Sequence, residues 1–309
     1  MRIHRTLALG AVLLALVVSA CTPGGGSTSP SASESEAAKP AVTVGSAGFY
    51  EAALVAEIYA QALEAHGYTV TRKLELGERD VTQAAIESGE INLKPEYLGG
   101  MASFLGADVA ADPEVTFANM QAKLAEKGLV ALDYSPGTDA DGFVVRQETA
   151  DQFNLATMSD LAAVADQLVW GLAPGCPDNP VCGPGLQSTY GIDISQLEVE
   201  SLPPCSTQMA EALNNSAIGV AQVCTTQPDI ARFNLVLMAD DGGLQPAQNV
   251  APVVTQALLD AAPDDFEATL NAVSALLTTE VLTALGVQVA VNQESYADVA
   301  AQFLADNGM

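Results

Sequence analysis

Apolar residues recur along this chain in two rhythms, short continuous runs that suit strands and longer stripes of helical period. Residues 41–44 (Ala-Val-Thr-Val) read as a short strand that breaks at Gly45-Ser-Ala-Gly48. Over 51–66 the apolar positions Ala52, Val55, Ile58, Tyr59, Ala62 and Leu63 lie three and four apart, which is one face of a helix, and Gly67 closes it. The pattern then predicts a strand over 68–76, a helix over 79–88, a strand over 91–97, a helix over 114–127 and a strand over 129–133. A second set begins near Gly142, with strands at 143–145 and 168–172, a helix at 159–167, a cysteine-rich loop, a helix near 206–214, and strands at 217–223 and 235–238. A turn-rich stretch, Asp240 to Asn249, leads into helices at 255–261, 264–278 and 294–306.

Alternation of strand and helix predicts an α/β fold on mostly parallel sheets covered on both faces. The last helices need a sheet to cover, and the sheet of the first set is the natural one. That predicts a discontinuous domain, 41–139 with 249–309, interrupted by a second domain, 140–248. Two α/β domains joined by two crossing strands enclose a cleft, and clefts between lobes are where small ligands bind.

The first forty residues follow different rules. Arg2 and Arg5 precede fourteen uncharged residues, Leu7 to Ala20. Such a run is too short to span a bilayer core of about 30 Å as a helix and suits a signal-peptide core, so 1–20 is read as a signal peptide. Val18-Ser-Ala-Cys21 resembles a bacterial lipobox, in which Cys21 is lipidated and becomes the mature N-terminus; the other reading is an ordinary signal peptide cut near Ala20. Residues 22–40 carry no large apolar side chain and predict a flexible tether, so 21–40 would hold a soluble domain beside a membrane. The expected location is extracytoplasmic, anchored to the cell membrane as a lipoprotein.

Charge and cysteine content narrow the partners. The formal net charge is −27, and removal of Arg2 and Arg5 with the signal takes it to −29, a field that argues against nucleic acid. Four cysteines remain after Cys21: Cys176, Cys182, Cys205 and Cys224. An even count in an exported chain points to two disulfides, with Cys176 and Cys182 closing a short proline-pinned loop and Cys205 left for Cys224. Zinc is the rival, but no CxxC spacing occurs and His66 is the sole histidine past the signal. No metal or cofactor is expected. Nothing resembles a GxSxG elbow or a phosphate loop, so the sequence favours a receptor over an enzyme.

Several segments carry a family resemblance. Val44-Gly-Ser-Ala-Gly-Phe-Tyr-Glu51, Glu87-Ser-Gly-Glu-Ile-Asn-Leu-Lys-Pro-Glu-Tyr97, Asp141-Gly-Phe-Val-Val145, the Cys176–Cys182 loop, Thr225-Thr-Gln-Pro-Asp229 and Leu244-Gln-Pro-Ala-Gln-Asn-Val-Ala-Pro-Val-Val254 resemble the glycine betaine/choline-type binding proteins of ABC uptake systems. The likeness runs in order through nearly all of 41–309. It implies a two-lobed periplasmic-binding-protein fold (type II) that closes on a small molecule and delivers it to ABC permease subunits. Ligands of that family carry a quaternary ammonium, which has no N–H to donate and is held by aromatic faces and nearby oxygens. The resemblance puts Tyr97 in the aromatic cage and offers Tyr190 as a second wall. Ser46, Phe49, Tyr50, Asp141, Thr225 and Thr226 complete the candidate site, with the free amides at the start of the first helix suited to a polar or anionic group. Tyr59 and Tyr68 read as packing.

Departures from the family matter as much. Ala47 stands where a lysine is frequent, Gly100 where a small hydroxyl residue is, and Asn179 where an arginine is. Asp141 and Cys224 replace cage tyrosines. A ligand carboxylate buried without a cationic partner is strongly unfavourable. The expectation is therefore a ligand of the quaternary-amine class, or another that is cationic or neutral and polyhydroxylated, with glycine betaine itself disfavoured.

Overall fold

The computed structural model describes residues 39–203 and 205–309. The expected signal peptide 1–20, the lipidation site Cys21 and the tether as far as residue 38 lie outside the described residues.

Among the described residues ten strands form two five-stranded sheets: β1 Val42–Gly45, β2 Val70–Lys73, β3 Leu93–Tyr97, β4 Leu129–Ala131, β5 Asp141–Arg146, β6 Trp170–Leu172, β7 Val199–Ser201, β8 Val220–Cys224, β9 Leu235–Leu237 and β10 Val250–Thr255. One sheet has the order β2-β1-β3-β10-β4 and the other β7-β6-β8-β5-β9. The architecture is α/β as predicted, but the sheets are mixed rather than mostly parallel. β1 runs parallel to β2 and β3, while β10 is antiparallel to both β3 and β4. In the second sheet β6 is parallel to β7 and β8, and β5 is antiparallel to β8 and β9. The reversed strands are the ones that enter a sheet straight from the other. β5 follows the outgoing crossing and β10 the returning one.

The pattern missed two strands, the short β7 and the central β10. Pro252 sits in the middle of β10, and a proline argues against a central strand because it has no N–H for the ladder. The register resolves the difficulty: Pro252 faces Pro95 on β3. Antiparallel pairs alternate between exchanging N–H bonds and not, and Leu98 N donates to Asn249 O at 3.1 Å. That fixes the Pro252–Pro95 pair as non-bonding, so neither proline interrupts the β3–β10 ladder; on the β4 side Pro252 O accepts from Leu132 N at 2.9 Å.

The first sheet is covered on one side by the helix Tyr50–Ala65, which buries Leu54, Val55, Ile58, Tyr59 and Leu63 against helices Asp265–Leu276 and Tyr296–Asp306. Tyr59 is fully buried with its hydroxyl 2.8 Å from Ser274 Oγ, the packing role expected of it. Helices Arg79–Glu87, Leu98–Phe104 and Pro113–Ala125 cover the other side through Ile86, Met101, Met120 and Leu124. In the second sheet Trp170 is buried edge-on to Phe143 and donates Nε1–H to Ala165 O at 2.9 Å. Both expected disulfides are present, Cys176–Cys182 with Cα atoms 5.1 Å apart and Cys205–Cys224 with 5.0 Å.

The two crossings lie side by side. Thr138 and Asn249 form an antiparallel bridge, and Asp139 N donates to Gln248 O at 3.1 Å. Thr225, just past β8, braces the outgoing one: its hydroxyl accepts from Ala140 N at 3.0 Å and donates to Thr138 O at 3.1 Å. Gly137 is required here, because a Cβ would fall 2.5 Å from Leu277 O. Among the described residues no single helix is long and apolar enough to cross a membrane.

Candidate functional site

Three chain segments meet at the end of the first sheet: the turn from β1 into the first helix, the end of β3, and the outgoing crossing. Ser46 to Phe49 form the turn, with Gly48 N donating to Gly77 O at 2.8 Å. Phe49 is the N-cap of the helix Tyr50–Ala65 and offers no side-chain cap, so first-turn amides are left without a capping side chain. Glu51 sits in that first turn, where an acid is favoured by the helix dipole.

Glu51 is the unusual residue. It is 2% exposed, accepts from Tyr97 Oη at 2.7 Å through Oε1, and leaves Oε2 buried with no hydrogen-bond partner. The Thr226 hydroxyl lies beside it but meets no hydrogen-bond geometry with Oε2. Burial, reinforced by repulsion from Asp139, pushes the carboxyl up to about 8, against the pull of Tyr97 and Thr226. Asp139 is raised too, chiefly by burial, with Thr226 opposing and Asp141 adding repulsion. Asp141 is raised by burial despite a long bond from Gln222 Nε2 at 3.4 Å. Glu51, Asp139 and Asp141 thus form a chain of carboxyls that act on one another. A chain of that kind, with an unpaired buried oxygen, lacks a cation.

Aromatic faces stand beside it. Phe49 and Tyr97 rings are 5.6 Å apart at a 40° tilt, and both line a small cavity of about 130 Å³ with Ala47, Gly48, Gly77, Glu78, Arg79 and Glu96. The Tyr97 phenol is raised by burial and then by Glu51 and Asp139, so it remains a donor to Glu51. The Tyr50 hydroxyl lies beside Gly286, and its phenol is raised by burial and by Glu51, Asp139 and Asp229, with Thr226 opposing.

The floor of the cavity carries a buried ion cluster. Glu96 accepts from Lys94 Nζ at 2.8 Å and from Arg79 Nε at 3.0 Å. Burial alone would raise Glu96, but Lys94 and Arg79 together hold it below the usual carboxylate range. Two cations face one ionised carboxylate.

The predicted residues therefore divide. Phe49, Tyr97 and Thr226 come together around Glu51, and Tyr50 and Asp141 flank them. Ser46 is fully buried, and its hydroxyl accepts from Glu75 N at 2.8 Å and donates to Ala47 O at 3.1 Å, which ties down the turn. Thr225 likewise spends its hydroxyl on the outgoing crossing. Tyr190 ends the helix Gly183–Tyr190, donates to Asp240 and accepts from Gly242 N, at the turn where the chain starts back. Glu51, Asp139 and Arg79 were not among the predicted residues. Glu51 was within the quoted motif, and an acid at the head of an apolar helical stripe was the one signal that could have found it.

Comparison with known proteins bears on this arrangement. Residues 40–306 match the family described as the substrate binding domain of ABC-type glycine betaine transport systems. The chain is 29% identical over 283 residues to the glycine betaine-binding protein YehZ of Escherichia coli K12, covering 88% of this chain and 92% of the relative. It is 25% identical over 315 residues to the carnitine transport binding protein OpuCC of Listeria monocytogenes serotype 1/2a, covering 97% and 96%. A crystal structure titled as a glycine betaine/carnitine/choline ABC transporter superposes with a TM-score of 0.80 at 22% identity, covering 86% of this chain and 98% of that one, a likeness of fold.

Proposed function

Because the chain belongs to the family of substrate-binding domains of ABC-type glycine betaine transport systems, we propose that it captures a small quaternary-amine solute between its two lobes and presents it to an ABC permease. The family's role is binding for transport, not catalysis. One observation carries the choice of ligand: Glu51 Oε2 is buried without a partner, next to Asp139 and the Phe49 and Tyr97 faces. An ammonium seated there supplies the missing counter-charge, while its methyl groups rest on the rings. Cation–π contacts contribute about 0.5–2 kcal/mol each, and the carboxylates add the long-range attraction that a desolvated cation needs.

The domain division follows the sheets. A first domain, 41–139 with 249–309, and a second, 140–248, close on the solute about the paired crossings, in a hinge motion. At the N-terminus Cys21 carries the lipid and 22–40 the tether, which keeps the receptor close to its permease. Titration calorimetry of the mature domain with glycine betaine, choline, carnitine and a neutral polyol tests the reading. Saturable binding of a trimethylammonium compound, weakened in Glu51→Gln, supports it. Binding of the polyol alone opposes it and favours a neutral polyhydroxylated ligand.

A further inference from the structure

The paired crossings form a two-stranded ribbon, and such a ribbon has two faces. The antiparallel bridge between Thr138 and Asn249 sets Asp139 opposite Gln248 and Ala140 opposite Ala247, and successive side chains of an extended chain alternate in side. Asp139 and Gln248 share the face toward the candidate site: Asp139 Oδ1 accepts from Thr226 N at 3.3 Å, and Gln248 Oε1 accepts from Gly100 N at 2.9 Å. Thr138, Ala140, Ala247 and Asn249 share the other face. These four line a cavity of about 340 Å³ to which neither Asp139 nor Gln248 contributes. Its walls include Ala111 from the first domain and Leu237 and Ala239 from the second, all exposed; Asp141, past the end of the ribbon, also lines it.

On the Asp139 side the two domains touch. Gly286 ends the helix Thr279–Gly286 with φ at −59°, a conformation open to any residue, so its backbone gives no reason for a glycine. The reason is crowding: a Cβ there would lie 3.1 Å from Pro228 Cγ and from Tyr50 Oη, and 3.2 Å from Tyr50 Cε2. Tyr50 and Gly286 belong to the first domain. Pro228 belongs to the second, two positions past the Thr226 that bonds to Asp139. The domains therefore meet on one face of the ribbon and stand apart on the other. A rotation about the ribbon that closes one face must open the other. We infer that the Gly286–Pro228 contact and the rear cavity form a lever on affinity, so that residues remote from the ligand set how readily the lobes close and how tightly the ligand is held. A ligand that binds the closed form is held in proportion to the fraction of protein that can close. The inference rests on the proposed function, since it assigns control of closure over the same site.

Three substitutions test it by calorimetry with glycine betaine and choline, and their signs differ. Gly286→Ala puts a methyl between the domains on the site face and should weaken both probes by about fivefold or more. Alanine is the better helix former, so the melting temperature should not fall. Ala111→Leu and Ala239→Leu put a longer side chain into the rear cavity. It fits the cavity as it stands and is squeezed only when the rear narrows, so both probes should bind about two- to fivefold more tightly. In all three the betaine-to-choline ratio should stay within about twofold, because none of these residues meets the ligand. Rear variants that weaken binding or leave it unchanged overturn the lever, as does Gly286→Ala at wild-type affinity. A change confined to one probe overturns it too, and assigns the residue to the ligand site. Small-angle scattering of the ligand-free proteins keeps the lever separate from the function. A wild-type protein that binds neither probe overturns the proposed ligand class, while the lever still requires a larger radius of gyration in Gly286→Ala than in Ala111→Leu; equal radii overturn it.

Discussion

Glutamine at position 51 should change how stability depends on pH. Burial pushes the Glu51 carboxyl up to about 8, against 4.5 for an unperturbed glutamate. Below 4.5 both folded and unfolded chains carry the proton and the site has no effect. Between 4.5 and 8 the folded state binds more protons than the unfolded one, so stability falls as pH rises, by up to about 1.4 kcal/mol per pH unit for a single group. Integrated over that window the loss is on the order of a few kcal/mol, a destabilisation that ligand binding relieves. Asp139 and Asp141, both raised, act in the same direction, whereas the Tyr50 and Tyr97 phenols stay protonated throughout. Glu51→Gln keeps the shape and the acceptor for Tyr97 and removes the titration. Thermal unfolding of ligand-free protein from pH 5 to 8.5 should show the wild-type melting temperature falling by several degrees, at roughly 2–4 °C per kcal/mol for a domain of this size, with a much flatter profile in Glu51→Gln. At pH 8 the variant should be the more stable of the two. Parallel profiles, or a variant less stable at every pH, would refute the reasoning.

Three further outcomes follow from the geometry. Tyr97→Ala removes an aromatic face and the donor to Glu51, and should weaken binding of a trimethylammonium ligand by about one to two kcal/mol, roughly five- to thirtyfold by calorimetry, whereas Tyr97→Phe should weaken it less. Serine at Cys205 and Cys224 opens a crosslink between positions 19 apart and should lower stability by about 3 kcal/mol in urea unfolding if chain entropy dominates. Closure about the paired crossings should shrink the radius of gyration when a saturating ligand is added, which small-angle scattering reads directly; identical curves would oppose it.

Much of the scaffold was legible in the sequence because local pattern determines it. The apolar stripe from Ala52 to Leu63 and the runs at β1 and β3 need only a neighbour to cover them, and both disulfides followed from an even count and a short loop. β10 was hidden because its proline is tolerable against β3 only at a non-bonding position, a register fact set by residues more than 150 positions distant in the chain. Strand direction was hidden for a related reason, since β5 and β10 take theirs from the crossings. At the site, Phe49 and Tyr97 were legible through a resemblance, but the charges were not. Glu51 meets Tyr97 across 46 positions and Arg79 reaches the gap above Gly100, and neither pairing leaves a periodic trace. Ser46 was named for its neighbours, and the structure adds that its hydroxyl holds the turn.

The central claim is that a ligand cation completes the Glu51–Asp139 pair. Cation binding must then lower the affinity of that pair for protons, so a proton leaves as the ligand enters. Titration calorimetry with a trimethylammonium ligand at pH 7, repeated in buffers of different ionisation enthalpy, measures that proton. The account predicts that the wild-type protein binds the ligand and releases a substantial fraction of one proton, and that Glu51→Gln binds more weakly with little release. Tight binding with no proton exchanged, and equally tight binding by Glu51→Gln, would contradict it.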